Sequence, residues 1–408
     1  MNLEFFITKR IAFRQGKSFS GFIIKIAIAA VALSMAVMII TTATVNGFQH
    51  EVSRKIFGFW GHIHITKYKL NAAHYEDTKP ISKHQNFYPN IDSIEGIRHI
   101  QVYANKAGII KTDTDIEGIL LKGIGSDFDW SFLTDCMVSG KSFSLNDSTR
   151  SNNIVISATT ANRLQLAVGD KMAVYFVQRP VRVRQFTISG IYKTALEEYD
   201  EKYAIIDIKH IQKLNKWTDD EVGGFEVFLD DVQELDKYSD VLYYHINNHT
   251  LLAQTIKEIN PNIFEWLALQ NMNEYVILLL MVLVAIINMI TALLILILER
   301  TNMVGIMKAL GANNWSIRKI FLYNATFIIG LGLIIGNLLG LGICVLQQQF
   351  GIIQLPEESY YINVAPIAIN WFSIILLNVG TMLVCVIAMI IPSYLVTHID
   401  PIKAIRFK

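Results

Sequence analysis

Four stretches of this chain are too long and too apolar to be solvated by water: residues 23–45, 275–298, 321–346 and 371–393. A helix needs roughly 20 mostly apolar residues to cross a hydrocarbon layer about 30 Å thick, and each stretch supplies them. The composition agrees, since 52% of the 408 residues are hydrophobic and only 17% are charged, against about a quarter charged in soluble domains. A net charge of +1 leaves no basic excess for a nucleic-acid partner. Cys344 and Cys385 fall in apolar runs, leaving Cys136 alone, so no disulfide framework is expected. The first stretch exceeds the roughly 7–15 apolar residues of a cleaved signal and no small-x-small site follows it, so a signal anchor is expected. No lipobox cysteine lies near the N-terminus, and the protein is not expected to be a lipoprotein itself.

Lysines and arginines in short loops orient the spans. Lys9, Arg10, Arg14, Lys17 and Lys25 precede or open the first span. Arg300, Lys308, Arg318 and Lys319 follow the second, and Lys403, Arg406 and Lys408 follow the fourth. The loop 347–370 carries only Glu357 and Glu358. The expected order is a cytoplasmic amphipathic segment 1–22, span 23–45, an insertion 46–273 outside the cytoplasm, span 275–298 and a cytoplasmic loop 299–320. Span 321–346, a second outer loop 347–370, span 371–393 and a cytoplasmic tail 394–408 complete it. The fold class is a four-helix α-helical membrane protein with an α+β domain inserted between helices 1 and 2.

The insertion alternates short β-type runs with brief helical patterns. Strands are predicted over 61–66, 153–157, 172–177, 181–188, 203–208 and 225–229, and helices over 158–166, 208–214, 232–238 and 251–259. The two middle strands form a hairpin through Gln178, Arg179 and Pro180. Helical patterns also lead in, over 45–56, and out, over 261–274, with no flexible linker, which would let two continuous helices couple the outer domain to the membrane.

No nucleotide, metal or hydrolase constellation emerges. Gly16-Lys17-Ser18 and Gly140-Lys141-Ser142 end as a phosphate-binding loop should, but Ile11 and Asp135 stand where its first glycine belongs. His62 and His64 share a strand face without a third ligand nearby, which favours a plain surface strand over a metal site. Ionisable residues are nearly absent from the spans, against ion-coupled transport, and Asn288, Asn324, Asn337 and Asn378 at membrane depth are read as helix-packing groups.

Two features carry more. Gly332, Gly336 and Gly340 line one face of the third span and permit close backbone approach to another helix, in this chain or in a partner. In the loop 299–320, Met303, Val304, Ile306, Met307 and Leu310 form an apolar stripe, Gly311 suits a C-cap, and Asn313 or Asn314 suits the next N-cap. That stripe either meets a partner or packs on the spans and interface lipid.

These residues resemble a known family. The run from Glu299 to Ala312 is similar to the E-[RK]-x-x-x-[IV]-G-[IV]-x-[RK]-A-x-G-A loop of the permease superfamily that includes MacB, FtsX and the lipoprotein-releasing LolC/LolE proteins. Tyr394, Pro401, Ala404 and Arg406 look like its terminal pattern. Asn46-Gly47-Phe48 with Glu51, then Ile56-Phe57-Gly58, resembles the N-G-F-x-x-E…I-L-G segment of the LolC/LolE branch. The stretches 186–191 and 203–207 also look like that branch.

The resemblance implies a type VII ABC transporter permease that is not itself an enzyme and works as a homo- or heterodimer with a second permease subunit. Its partners would be a separate LolD-like ATPase carrying ATP and magnesium, membrane lipid, lipoproteins and a LolA-like periplasmic carrier. This chain is expected to bind no cofactor or metal directly. By position, ATPase coupling falls to Glu299, Arg300, Met303, Val304, Gly305, Met307, Lys308, Ala309 and Gly311. A lipoprotein cavity falls to Val45, Phe48, Val52, Met272 and Tyr275. In LolC-type subunits a long hook lies where this chain has only residues 178–180, so the chain resembles either a hookless LolE-like partner or a homodimer that recruits its carrier differently. An FtsX-like mechanotransmission protein controlling a cell-wall hydrolase and a MacB-like exporter subunit are the alternatives within the superfamily.

Overall fold

The structure, a computed structural model, describes residue 4 and residues 19–68, 79–89, 95–112, 115–146, 148–246, 250–356 and 360–399. Lys9, Arg10, Arg14 and Lys17, the pair Glu357 and Glu358, and the tail positions Pro401, Ala404 and Arg406 lie outside the described residues. Two units emerge, one helical (1–50, 266–354 and 364–408) and one built on a sheet (51–265 and 355–363).

In the helical unit, α1 (Phe19–Trp60) and α8 (Pro261–Glu299) are 42 and 39 residues long. At 1.5 Å per residue each is about twice the length a bilayer crossing requires. They contain the spans expected at 23–45 and 275–298 and continue as helix into the sheet unit's sequence, as the unbroken helical patterns predicted. Helix α9 (Thr301–Ala309) follows, then α10 (Asn314–Phe350) and α11 (Trp371–Ser393). Their shared core joins Val31, Met35 and Ile39 to Met289, Leu293, Val304, Phe321, Ile329 and Met389.

The glycine face of α10 lies against α1. A Cβ on Gly332 would sit 2.8 Å from Val31, one on Gly336 2.6 Å from the Ala32 carbonyl oxygen, and one on Gly340 3.1 Å from the Ala36 Cα. The partner of this face is therefore a helix of the same chain, and the missing side chains let the backbones meet. Asn337 and Asn378 clasp each other across α10 and α11, with reciprocal amide bonds of 2.7 and 3.0 Å. Each amide also donates to the carbonyl one turn back, Leu333 and Ile374. Asn324 is buried and Asn288 half-buried.

In the sheet unit the strands are β1 (Ile63–Lys67), β2 (Ile81–Ser82), β3 (Ile97–Lys111), β4 (Ile116–Ile124), β5 (Met137–Gly140), β6 (Asn153–Ser157), β7 (Lys171–Phe176), β8 (Arg182–Tyr192), β9 (Tyr203–Asp207), β10 (Glu221–Val222), β11 (Gly224–Leu229) and β12 (Leu251–Thr255). Short helices α2 (Ser131–Asp135), α3 (Ala158–Arg163), α4 (Glu197–Asp200), α5 (Ile208–Asn215), α6 (Leu235–His245) and α7 (Ile256–Ile259) connect them. The large mixed sheet runs β12-β1-β11-β3-β4-β9-β6-β8-β5. Strand β7 pairs with β8 on one side and with β3 on the other, at Ile109–Tyr175 and Ile110–Val174. That last pairing closes β3-β4-β9-β6-β8-β7 into a ring, and Ile110, Val174, Phe176, Phe186 and Ile188 are among its buried side chains. Small barrels of this kind are filled by side chains.

Three expectations need correction. The helix predicted over 251–259 is a strand to Thr255 and one helical turn beyond it, because Leu251, Ala253 and Thr255 alternate inward while the backbone pairs with β1. The helix predicted over 232–238 begins as a 3₁₀ turn and runs on as α6 to His245. His62 and His64 are not on a surface strand: both are buried, Nδ1 of His62 accepting from the Leu229 amide and Nε2 of His64 donating to the Trp60 carbonyl.

Candidate coupling surface and substrate face

Helix α9 ends on Gly311 at φ +90°. The Gly311 amide donates to the Lys308 carbonyl and the Ala312 amide to that of Met307, which is the Schellman closure. Asn313 then caps α10 by accepting from the Ser316 amide at 2.7 Å. This turn divides the apolar stripe. Val304 and Gly305 are buried, and Met303 and Met307 pack on the bundle core. Ile306, Leu310 and Trp315 remain exposed, Leu310 by 82%. The inner half of the stripe therefore packs on the bundle, and the outer half is left exposed.

Of the nine residues assigned to coupling, Glu299, Ala309 and Gly311 are exposed, whereas Val304 and Gly305 cannot touch a partner without unpacking the bundle. Lys308 points back, donating to the Thr397 and Ile399 carbonyls at 3.1 and 2.9 Å beyond the end of α11. Arg300 is half-buried, its Nε without a hydrogen bond. Next to this segment the Arg318 guanidinium lies 3.8 Å from the Tyr394 ring centroid and 5.2 Å from that of Trp315, with Nε donating to Ser393 Oγ at 3.1 Å. Charge-assisted stacking fixes the start of α10 on the end of α11. Ile306, Leu310 and Trp315 were absent from the coupling assignment, although the 3.6-residue period places Ile306 and Leu310 together on one face.

The cavity candidates also divide. Met272 and Tyr275 are exposed, on an apolar stripe of α8 that includes Leu269, Val276, Leu279, Leu283 and Ile287. Val45 is buried in the helical unit and Val52 in the sheet unit, so neither is available to an acyl chain. Phe48 is half-buried, edge-on to Trp266 at 6.4 Å. Around it, Thr42 donates to Glu274 at 2.6 Å, Gln49 bonds Asn271, and the Ala368 amide donates to the Ala43 carbonyl at 2.9 Å. Gly47 has no room for a Cβ, which would strike the Pro366 carbonyl. This explains the glycine of the Asn46-Gly47-Phe48 motif: the segment before α11 crosses α1 there.

In the sheet unit, the β7–β8 connection is residues 177–181, with Val177 and Val181 exposed at its ends. Arg182 donates to the Lys213 carbonyl at 3.2 Å. Burial, with Arg150 and Arg182 nearby, lowers the pKa of Arg184. The same environment, with Arg150, Arg184 and Lys213 adding to burial, lowers that of His210 to about 4 against the Ser151 carbonyl that favours its charge. A polar row crosses the opposite part of the sheet, where His64, Glu226 and Gln101 are cross-strand neighbours. The Lys122 ammonium meets Glu226 at 2.7 Å and donates to the Phe59 carbonyl at 2.6 Å. Burial pushes Lys122 down and Glu226 up, and their mutual attraction opposes both shifts.

Two family models match: the MacB-like periplasmic core domain over residues 26–242 and the FtsX-like permease C-terminal part over residues 275–401. LolC of Neisseria meningitidis, a lipoprotein-releasing system transmembrane protein, is 22% identical over 97% of this chain and 96% of its own. LolE of Haemophilus influenzae, bearing the same description, is 22% identical over 99% of both. The chain belongs to the LolC/LolE-type permeases of the MacB- and FtsX-like ABC superfamily. LolC of Xylella fastidiosa matches as closely, at 22% identity over 97% of this chain. Among solved structures, the periplasmic region of MacB from Actinobacillus actinomycetemcomitans covers 50% of this chain and 92% of its own at 12% identity, with a TM-score of 0.34. As a LolC/LolE-type permease the chain is an ABC transporter component of the bacterial inner membrane.

Proposed function

We propose that this permease extracts lipoproteins from the outer leaflet of the inner membrane and hands them to a LolA-like periplasmic carrier. The work is driven by ATP and magnesium on a separate LolD-like ATPase bound in the cytoplasm. The observation that carries this reading is the end-to-end match to LolC and LolE relatives, which are lipoprotein-releasing system transmembrane proteins. Physical chemistry supports it. Each buried CH₂ holds a lipid anchor by about 0.8 kcal/mol, so a three-chain lipoprotein does not leave unaided. The exposed stripe of α8 from Leu269 to Ile287 offers acyl chains an apolar track without an ion in it.

The spans are residues 23–45, 275–298, 321–346 and 371–393, both termini lie in the cytoplasm, and 46–273 is periplasmic. A second permease subunit, identical or not, completes the substrate chamber. The ATPase seats on Glu299, Ile306, Ala309, Leu310 and Trp315, while Met303, Val304, Gly305, Met307 and Lys308 hold α9 in place from behind. Met272 and Tyr275 contact cargo. The exposed Val177 and Val181 beside Arg182 and Arg184 are the surface offered to the carrier.

Reconstitution tests the proposal. Proteoliposomes holding the permease, its ATPase and a fluorescent triacylated lipoprotein should release cargo to soluble carrier when ATP and magnesium are added. Equal release with and without ATP would overturn it.

A further inference from the structure

Lys122 and Glu226 are both wholly buried, and the function proposed above uses neither. Buried ion pairs are weak contributors to stability, since well-packed apolar residues of similar volume usually do as well or better. Their location suggests another task. Lys122 Nζ holds the Phe59 carbonyl at 2.6 Å, and His64 Nε2 holds that of Trp60 at 2.7 Å, in the last turn of α1. These carbonyls have no partner within the helix and carry its negative pole, which a buried cation complements. The rings of Phe59, Trp60 and Phe128 surround the same ammonium at 5.0, 4.6 and 5.7 Å.

Behind the ammonium the bonds continue into the sheet. Lys122 belongs to β4 and Glu226 to β11. The second Glu226 oxygen accepts from Gln101 Nε2 on β3 at 2.7 Å, and His64 on β1 receives the Tyr103 hydroxyl at 3.3 Å. Apolar contacts around Phe57 and Phe59 are non-directional and let a helix end turn or slide. Hydrogen bonds to end carbonyls resist displacement along the helix axis.

We infer that Lys122 is a positioning residue which, riveted by Glu226, carries axial force from the end of α1 into strands β4 and β11. This rests on the reading above that an ATPase cycle moves the chain. It assigns the buried ions to transmission of force.

The test replaces the pair together, Lys122→Met with Glu226→Leu, and separately makes Glu226→Gln, which keeps the shape but removes the charge and one of the two acceptor oxygens. The permease is purified with its ATPase, and amide hydrogen exchange is followed with and without ATP plus vanadate. In the unmodified protein, peptides of β4 and β11 should change exchange rate at least threefold on trapping. The double variant should keep the unmodified unfolding temperature within a few degrees, whereas Glu226→Gln, which strands a buried lysine, should lower it. Both should confine the change to α1, and the double variant should release at least fivefold less lipoprotein per ATP. A nucleotide-dependent change in β4 and β11 that survives in either folded variant, or that is missing from the unmodified protein, overturns the inference. An unmodified protein that shows the exchange change but releases no lipoprotein refutes the proposed cargo and leaves the rivet standing.

Discussion

His62 and His210 are kept neutral by burial, each with a pKa lowered to about 4 from the ordinary 6.5. A folded value below the unfolded one means that the unfolded chain binds more protons between pH 6.5 and 4. The stabilisation is therefore complete above pH 6.5 and lost as pH falls toward 4, by about 1.4 kcal/mol per pH unit for each histidine. Thermal unfolding of the sheet unit between pH 7 and 4.5 should lose several degrees, and His210→Phe should flatten part of the slope. At the same scale, Gly336→Val would drive a side chain into the Ala32 carbonyl and Met35. Overpacking of that kind costs on the order of 1–3 kcal/mol, and because the obstacle is backbone the upper end is expected, read as a lower unfolding temperature in detergent. The glycine spacing was legible in the residues alone. The burial of His62 was not, because an alternating strand looks the same whether its polar face meets water or a helix end.

Helix α9 shows how far periodicity reaches. Its apolar residues and its glycine stop were readable, yet only the packing of α9 on the bundle decides that Val304 faces in and Leu310 out. The expected consequence is a split between variants. Ile306→Asp and Leu310→Asp should insert and fold normally while losing most stimulation of the ATPase, whereas Val304→Asp should lower the yield of folded protein. Similar losses of yield in all three would argue against a docking face. The Asn337–Asn378 clasp is a matched pair whose coupling, measured by a double-mutant cycle to leucine, should be about 1 kcal/mol. Strand β3 and strand β4, which carries the buried Lys122, escaped sequence reading for a related reason. In β3, Gln101, Asn105 and Lys106 are buried polar residues paired across the sheet, so the alternation that marks a strand is erased. The helical guess over 251–259 failed where local pattern was weak and the β1 partner decided.

For the whole molecule, the long helices α1 and α8 and the domain between them were foreseeable from hydropathy and from the missing linkers. The closure of the sheet was not, since it rests on two residue pairs between β3 and β7 far apart in sequence. Orientation has its own check: cysteines introduced at Asn302 and at Tyr244, both exposed, should react with a membrane-impermeant maleimide from opposite sides, Tyr244→Cys in intact spheroplasts and Asn302→Cys only after lysis. The hoop made by β3, β4, β9, β6, β8 and β7 has a mechanical corollary. An open sheet can fan or crease, but a closed hoop packed with side chains keeps its outline and can only tip as one body. How far its rim would travel in the ATP-driven cycle proposed above is then a question of leverage, set by the hoop's breadth and its angle of tilt.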